Sequence, residues 1–237
     1  MSTAELNKGI ALVITLAVHF GPITAALAEQ PLELDDLVVT AGLEPISVSD
    51  IATSITVISR EEIEERQVRY LADLLRDVPG FAVSQSGGPG AQTQIRVRGA
   101  EGNHVLVLMD GIRANDPASG DEFNFQYQST ANIERIEIVR GPQSAIWGTD
   151  ALAGVINIIR RKDVNDSYIK GVAEYGSFDS LVVSADGGIS RKAYTLTGGV
   201  SYTETGGINI AREGDEKDGA ENTNANAMLD FKATDNL

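Results

Sequence analysis

The stretch "AYTLTGGVSYTET", residues 193–205, decides the fold. In an extended chain, successive side chains point to opposite faces. Tyr194, Leu196, Gly198, Val200 and Tyr202 therefore share one face, and Thr195, Thr197, Gly199, Ser201 and Thr203 share the other. Three neighbours follow the same grammar: "YIKGVAEYGS" (168–177), "SLVVSADGGI" (180–189) and "ANAMLDFKATD" (225–235). In the second, Leu181, Val183 and Ala185 oppose Val182, Ser184 and Asp186; in the last, Ala227, Leu229 and Phe231 oppose Met228, Asp230 and Lys232. Alternation sustained over about 10 residues suits a transmembrane antiparallel β-barrel, with Tyr at both strand ends as interfacial girdles. A soluble β-sandwich alternates too, but with strands of about 5–6 residues. Four strands fall short of the roughly eight that close a barrel. The expectation is a chain that forms the front of a longer protein or comes from a truncated gene.

Upstream of residue 164 the texture is α+β. "SITVIS" (54–59) alternates and ends on Ser59, which with Glu62 forms a capping box opening a helix over 60–66. A second helix over 70–77 puts Leu71, Leu74, Leu75 and Val78 on one face, and "PGF" (79–81) stops it. "VSQSGGPGAQTQ" (83–94) reads as loop. "QIRVRG" (94–99) and "HVLVLMDG" (104–111) read as strands; the second is apolar on both faces and is expected at the centre of a small sheet. "IERIEIVRG" (133–141) alternates with a one-residue slip that sets Ile133, Ile136 and Ile138 against Glu134, Arg135 and Glu137. "PQSAIWG" (142–148) is a short turn or helix, and "GVINIIRRK" (154–162) a last buried strand.

The formal net charge of −15 over 237 residues opposes a nucleic-acid partner, which wants a basic face. With no cysteine, neither a disulfide framework nor a thiolate metal site is available. Residues 1–28 read as an export signal: Lys8, an apolar run from Ile10 to Val18, and the A-x-A pattern Ala26-Leu27-Ala28. That run is shorter than the roughly 20 residues a membrane-spanning helix needs. The expected division is signal peptide 1–28, extended segment 29–50, α+β domain 51–163 and barrel strands 164–237. Within the extended segment, "DDLVVTA" (35–41) is a short strand with no turn beside it to supply a partner.

Enzyme chemistry finds little footing. Asp110 ends an apolar strand, as a phosphotransfer nucleophile would, but the second acid such sites need two residues on is Ile112 here. "GGPG" (87–90) lacks the dinucleotide-binding order, and His104 alone supports no triad. Asp110-Gly111 reads better as a turn.

Taken in order, "DDLVVTA" (35–41), "LADLLRDVPGF" (71–81), "IRVRG" (95–99), "VLVLMDGIR" (105–113) and "IERIEIVRGPQSAIWGTDALAGVINI" (133–158) resemble the TonB-dependent outer-membrane receptors, most of all the cobalamin receptors. The resemblance implies a plug domain inside a barrel in the outer membrane of a Gram-negative bacterium, and energy-coupled uptake of cobalamin or an iron-siderophore without catalysis. The alternative is a truncated, transport-incompetent remnant or a plug-only binding module. Asp35, Asp36, Leu37, Val38, Val39, Thr40 and Ala41 match the TonB box, which pairs with a TonB-type inner-membrane energy transducer; a free strand suits addition to that partner's sheet edge. Arg98 and Arg140 match plug arginines that lock onto barrel glutamates, a role that a guanidinium's carboxylate-matching fork fits. The apical loops fall at Gln85, Ser86, Gly87 and Gly88, and at Asn115, Asp116, Phe123, Phe125 and Tyr127, where the aromatic rings would offer apolar faces to ligand. Three carboxylates in the second loop, Asp116, Asp121 and Glu122, depart from what cobalamin contact requires. No cofactor is expected, although Asp215, Glu216 and Asp218 have the oxygen chemistry of a calcium loop; a solvated charged loop is the plainer reading. Barrel lipid is the remaining partner.

Overall fold

A computed structural model describes residues 37–38, 46–47, 54–162, 164, 166–211 and 213–231. Those residues fall within one unit, Leu34–Leu237. The signal peptide, most of the 29–50 segment, and Asp35, Asp36, Val39, Thr40 and Ala41 lie outside them.

Near the start, β1 (Leu37–Val38) pairs antiparallel with β2 (Ile46–Ser47). This corrects the expectation of a strand with no local partner: a connection of seven residues is long enough to turn the chain back without a two-residue turn. The ladder is only two residue pairs long.

The first domain opens with β3 (Ser54–Ser59), α1 (Arg60–Arg66) and α2 (Leu71–Arg76). Ser59 accepts a hydrogen bond from the Glu62 amide (3.4 Å), satisfying one of the helix's orphan donors. α2 buries Leu71, Leu74 and Leu75 completely, as its apolar face requires. There follow β4 (Phe81–Gln85), β5 (Thr93–Val97), β6 (Val105–Met109), β7 (Ile112–Arg113), β8 (Ile133–Arg140), α3 (Ser144–Trp147) and β9 (Gly154–Arg160). β4 and β5 form a hairpin. The sequence reading assigned 83–94 to loop for its glycine and polar content, yet 83–85 and 93–94 are strand; Phe81 and Val83 set the alternation, and pairing with Val97 and Ile95 does the rest.

The main sheet has the order β3-β8-β9-β6-β7, with β6 and β9 parallel and the other neighbours antiparallel. Its alternating faces build two cores. Val105, Val107, Ile136, Ile138, Ile156 and Ile158 pack with Ile63, Leu74 and Leu75 of the helices. Leu106, Leu108 and Val155 pack with Ala151 and Trp147 on the opposite face. β6 is therefore apolar on both sides, as expected, yet β8 and β9 occupy the interior positions and β6 has only the two-residue β7 beyond it. The Asn115 side chain replaces the missing strand there. Its Oδ1 accepts from the Val107 amide (2.7 Å), and its Nδ2 donates to the carbonyls of Val105 (3.0 Å) and Asp121 (2.8 Å). Glu137, placed on the polar face by the sequence pattern, is fully buried because β8 is covered on both sides; Arg135 Nε pairs with it at 2.9 Å. The slip in that strand is real: register shifts between Ile133 and Arg135.

A second, four-stranded antiparallel sheet follows in chain order: β10 (Tyr168–Gly176), β11 (Ser180–Ser190), β12 (Tyr194–Ile208) and β13 (Asp218–Phe231). Its exposed face carries Val183, Ile189, Leu196, Val200 and Leu229, and its covered face buries Thr195, Thr197, Ser201 and Thr205. That is the reverse of a water-soluble sheet, where the hydroxyl face would meet solvent. Tyr194 stands opposite Phe231 at one end, and Tyr175 and Phe178 are exposed at the other. Hydrocarbon is the medium that stabilises such a face, with aromatics at both interfaces. Among the described residues the sheet does not close on itself.

Candidate functional site

The first domain sits against the hydroxyl-lined face of the second sheet. Two paired charges span the junction. Arg69 Nε donates to Glu174 on β10 at 2.7 Å, and its Nη2 pairs with the other oxygen of the same carboxylate. Lys170 Nζ, also on β10, binds Glu64 of α1 at 2.8 Å. Lys170 is the largest influence holding the Glu64 carboxyl below its ordinary range, with Arg60 at 3.0 Å assisting and partial burial opposing. Further along, Asn132 Nδ2 donates to Asn226 on β13 at 2.9 Å, and Thr197 donates to the Arg161 carbonyl at 3.0 Å. Partners 105 and 106 residues apart in sequence gave no local signal of this contact.

The first apical loop folds on itself. Ser86 donates its amide to the Gln92 carbonyl (3.1 Å), and Gln85 Nε2 donates to the Gly88 carbonyl (2.8 Å). Gly90 has φ +87°, and a Cβ there would lie 2.5 Å from Ala220 Cβ and 3.0 Å from the Tyr127 ring. Only glycine lets the loop pass between Tyr127 and β13 in that conformation. Gln85, Gly87 and Gly88 line a cleft of about 110 Å³ together with Pro89 and Gln126.

The second loop corrects the sequence reading. Phe123 and Phe125 are 8% and 4% exposed and meet edge to face at 4.7 Å in the core, so they present no rings to a ligand. The alternation Phe123-Asn124-Phe125-Gln126 was the available signal that both rings share an inward face. Asn115 is committed to β6. Asp116 caps a short 3-10 turn through the Ala118 amide and the Ser119 hydroxyl, each at 2.9 Å. Asp121 pairs with Arg113 (2.9 Å), and Glu122 accepts from Gln94 (2.9 Å). Tyr127 is half-buried and lines the junction between domain and sheet.

Arg98 and Arg140 come together at the sheet's other end. Arg140 Nη1 donates to the Pro79 carbonyl (2.9 Å) and Nη2 to the Thr56 hydroxyl (2.8 Å), while its buried Nε makes no hydrogen bond. Burial first, and then the neighbouring Arg98 charge, push the Arg140 pKa below its ordinary value. Arg98 has φ +52°, and its Nη1 lies within 3.6 Å of a Cβ placed on Gly141.

Asp110 and Gly111, at φ +54° and +82°, form the turn between β6 and β7. Positive φ at both central residues is the type I′ hairpin geometry. The Asp110 carboxylate accepts from the Arg160 amide (2.9 Å) and pairs with Arg160 Nε (2.7 Å), which occupies it structurally. The acidic residues of the β12–β13 connection do not converge: Asp218 begins β13 and accepts from the Ile210 amide (3.1 Å), and Asp215 and Glu216 are exposed. Among the described residues no three acidic or imidazole groups are grouped to hold a metal ion.

Comparison with known proteins agrees with this architecture. Residues 47–155 match the model of the TonB-dependent receptor plug domain. Over 212 residues the chain is 37% identical to the vitamin B12 transporter BtuB of Vibrio vulnificus, covering 86% of this chain and 34% of that protein. It thus spans about a third of the length of that relative. The pyoverdine outer-membrane receptor FpvA of Pseudomonas aeruginosa superposes with a TM-score of 0.71 at 19% identity, over 84% of this chain and 28% of that one. The ferric yersiniabactin uptake receptor FyuA of Yersinia pestis gives 0.58 at 25% identity, over 77% and 29%. Residues 47–155 are therefore a TonB-dependent receptor plug domain, followed by inside-out barrel strands like those of these outer-membrane relatives.

Proposed function

We propose that the chain supplies the plug and first wall strands of an energy-coupled uptake receptor. Its ligand is too large for open diffusion: cobalamin, as for the Vibrio relative, or a ferric siderophore, as for the structural neighbours. The observation that carries this reading is the second sheet, apolar where it meets the membrane and hydroxylated where it meets the plug. A protein that fills its own polar lumen needs an outside force to open it, and residues 35–41 are the proposed handle. A TonB-type partner would add its strand edge to Leu37–Val38, replacing the two-residue ladder to Ile46–Ser47. Arg98 and Arg140 would meet wall carboxylates, and the cleft at Gln85, Gly87 and Gly88 would face the ligand. No step alters the ligand covalently.

The test is uptake of radiolabelled cyanocobalamin and of labelled ferric siderophores by cells relying on this receptor, with and without Val38→Pro. Proline removes a ladder donor without changing the plug. Binding should persist while energised uptake falls to background. Unchanged uptake in the variant would exclude strand addition at that residue.

A further inference from the structure

The junction between plug and wall is not uniformly packed. Two adjoining cavities, about 280 and 160 Å³, run between the segment from α1 to Ile133 and the inner face of β10–β13. They share Asn132, Ser184, Asp186, Ser201 and Asn224 as lining. On the wall side, Ser184, Ser201, Thr203, Asn222 and Asn224 form a strip of uncharged hydroxyl and amide groups spanning three strands. On the plug side, Asn132 is 4% exposed, and its Oδ1 makes no hydrogen bond with the protein. A buried, unpaired acceptor is costly where nothing polar ever meets it. Along this strip the Arg69–Glu174 and Glu64–Lys170 pairs cross from plug to wall, with side chains 37–47% exposed. Exposed pairs are weak compared with the apolar contacts that hold the plug core.

We propose that this seam is the ligand's transit path, with the two ion pairs as its bars. The path suits a ligand rich in amide and hydroxyl groups. A strip of neutral donors and acceptors offers such a ligand many exchangeable hydrogen bonds and no deep well. A polyanionic chelate would have to compete for cations that already hold carboxylates among the described residues: Lys170 and Arg60 share Glu64, Arg69 holds Glu174 and Arg160 holds Asp110, while Asp186 adds a negative charge to the wall. This inference rests on the uptake function proposed above. It adds that the plug parts from the wall along one seam and stays seated elsewhere.

The experiment uses the receptor in its native outer membrane, carrying Arg69→Cys and Glu174→Cys. Residues 1–237 contain no cysteine, so within them a cleavable bifunctional thiol-reactive linker joins only the two introduced thiols. A second receptor carries Arg161→Cys and Thr197→Cys, which join plug to wall at a 3.0 Å contact away from the strip. The probe is radiolabelled cyanocobalamin, read as binding and as energised uptake. The seam linker should reduce uptake at least tenfold with binding intact, cleavage should restore it, and the second bridge should leave uptake within twofold of the unbridged receptor. Normal uptake through a linked seam would overturn the proposal. Equal blockage by both bridges would also overturn it, since the whole plug would then have to move. If the unlinked receptors take up neither labelled cyanocobalamin nor a labelled ferric siderophore, the transport reading itself fails, an outcome distinct from either.

Discussion

The plug and the four-stranded wall solve opposite problems with the same alternation of side chains. In the plug, apolar residues turn inward: Leu74, Leu75, Ile136 and Ile138 are completely buried. In the wall, Leu196 is 40% and Val200 51% exposed, while Thr195 and Thr197 on the opposite face are buried. A period of two says which residues share a face; it does not say which face meets water. The medium decides that, so identical substitutions should behave differently in the two regions.

The largest effect is expected at the plug core. Leu74→Ala removes a fully buried side chain at the helix–sheet contact and should cost about 2–5 kcal/mol, measured as a shift in the denaturant midpoint of the plug. Leu196→Ala leaves no cavity and should be nearly silent in the same assay. Val200→Arg, on the same outward face and nearer mid-span, reverses the contrast. It should cost about 2–4 kcal/mol, read as lost insertion into vesicles, while leaving plug stability unchanged. If Val200→Arg destabilised the plug as strongly as Leu74→Ala, the outward face would be a protein interface, not a lipid one.

A smaller effect separates the wall's two faces. Thr197→Val keeps the shape and removes the donor to the Arg161 carbonyl, leaving that acceptor unpaired at the junction. The expected cost is about 1–3 kcal/mol, seen as faster hydrogen exchange at the plug–wall contact. The same change at Thr223, which points to the outer face of β13, should be neutral or favourable in a bilayer.

Legibility in the sequence followed the same division. Wherever one face is covered and the other is not, the pattern named the element: α2, β3 and the first three wall strands stand where alternation or helical spacing put them, while the fourth begins at Asp218, inside the stretch read as a charged loop. β12 and β13 run longer than expected, 15 and 14 residues, because polar positions such as Asn222 and Asn224 still pair when they face a polar interior. Strands buried on both faces were found as apolar runs, but their order was not readable, so β6 was placed centrally when β9 and β8 hold that position. The ligand loops were the least legible. Asn115, Phe123 and Phe125 have the composition of a binding surface, yet one replaces a strand edge and two fill the core. Nothing local distinguishes a polar side chain that serves the backbone from one that serves a ligand. The seam pairs, with partners more than a hundred residues away, lay beyond any local pattern.

The smallest expected effect concerns the seam's response to acid, and it sharpens the contrast between a plug held by apolar burial and a junction held partly by charge. Glu64 has its carboxyl pKa lowered in the folded protein, chiefly by the Lys170 hydrogen bond. A depressed carboxylate contributes stability that is fully present above its unfolded value, about 4.5, and is lost as pH falls through the lower folded value. Between neutral pH and about 5 the pair should therefore hold unchanged, and below about 4 it should loosen. Hydrogen exchange at α1 and β10 should accelerate across that range while α2, locked by Leu71, Leu74 and Leu75, stays protected. Glu64→Gln should abolish the pH response at α1 without altering exchange in α2. A uniform acid response across both helices would mean that the junction and the core melt as one unit, and the plug would have no separable seam to open.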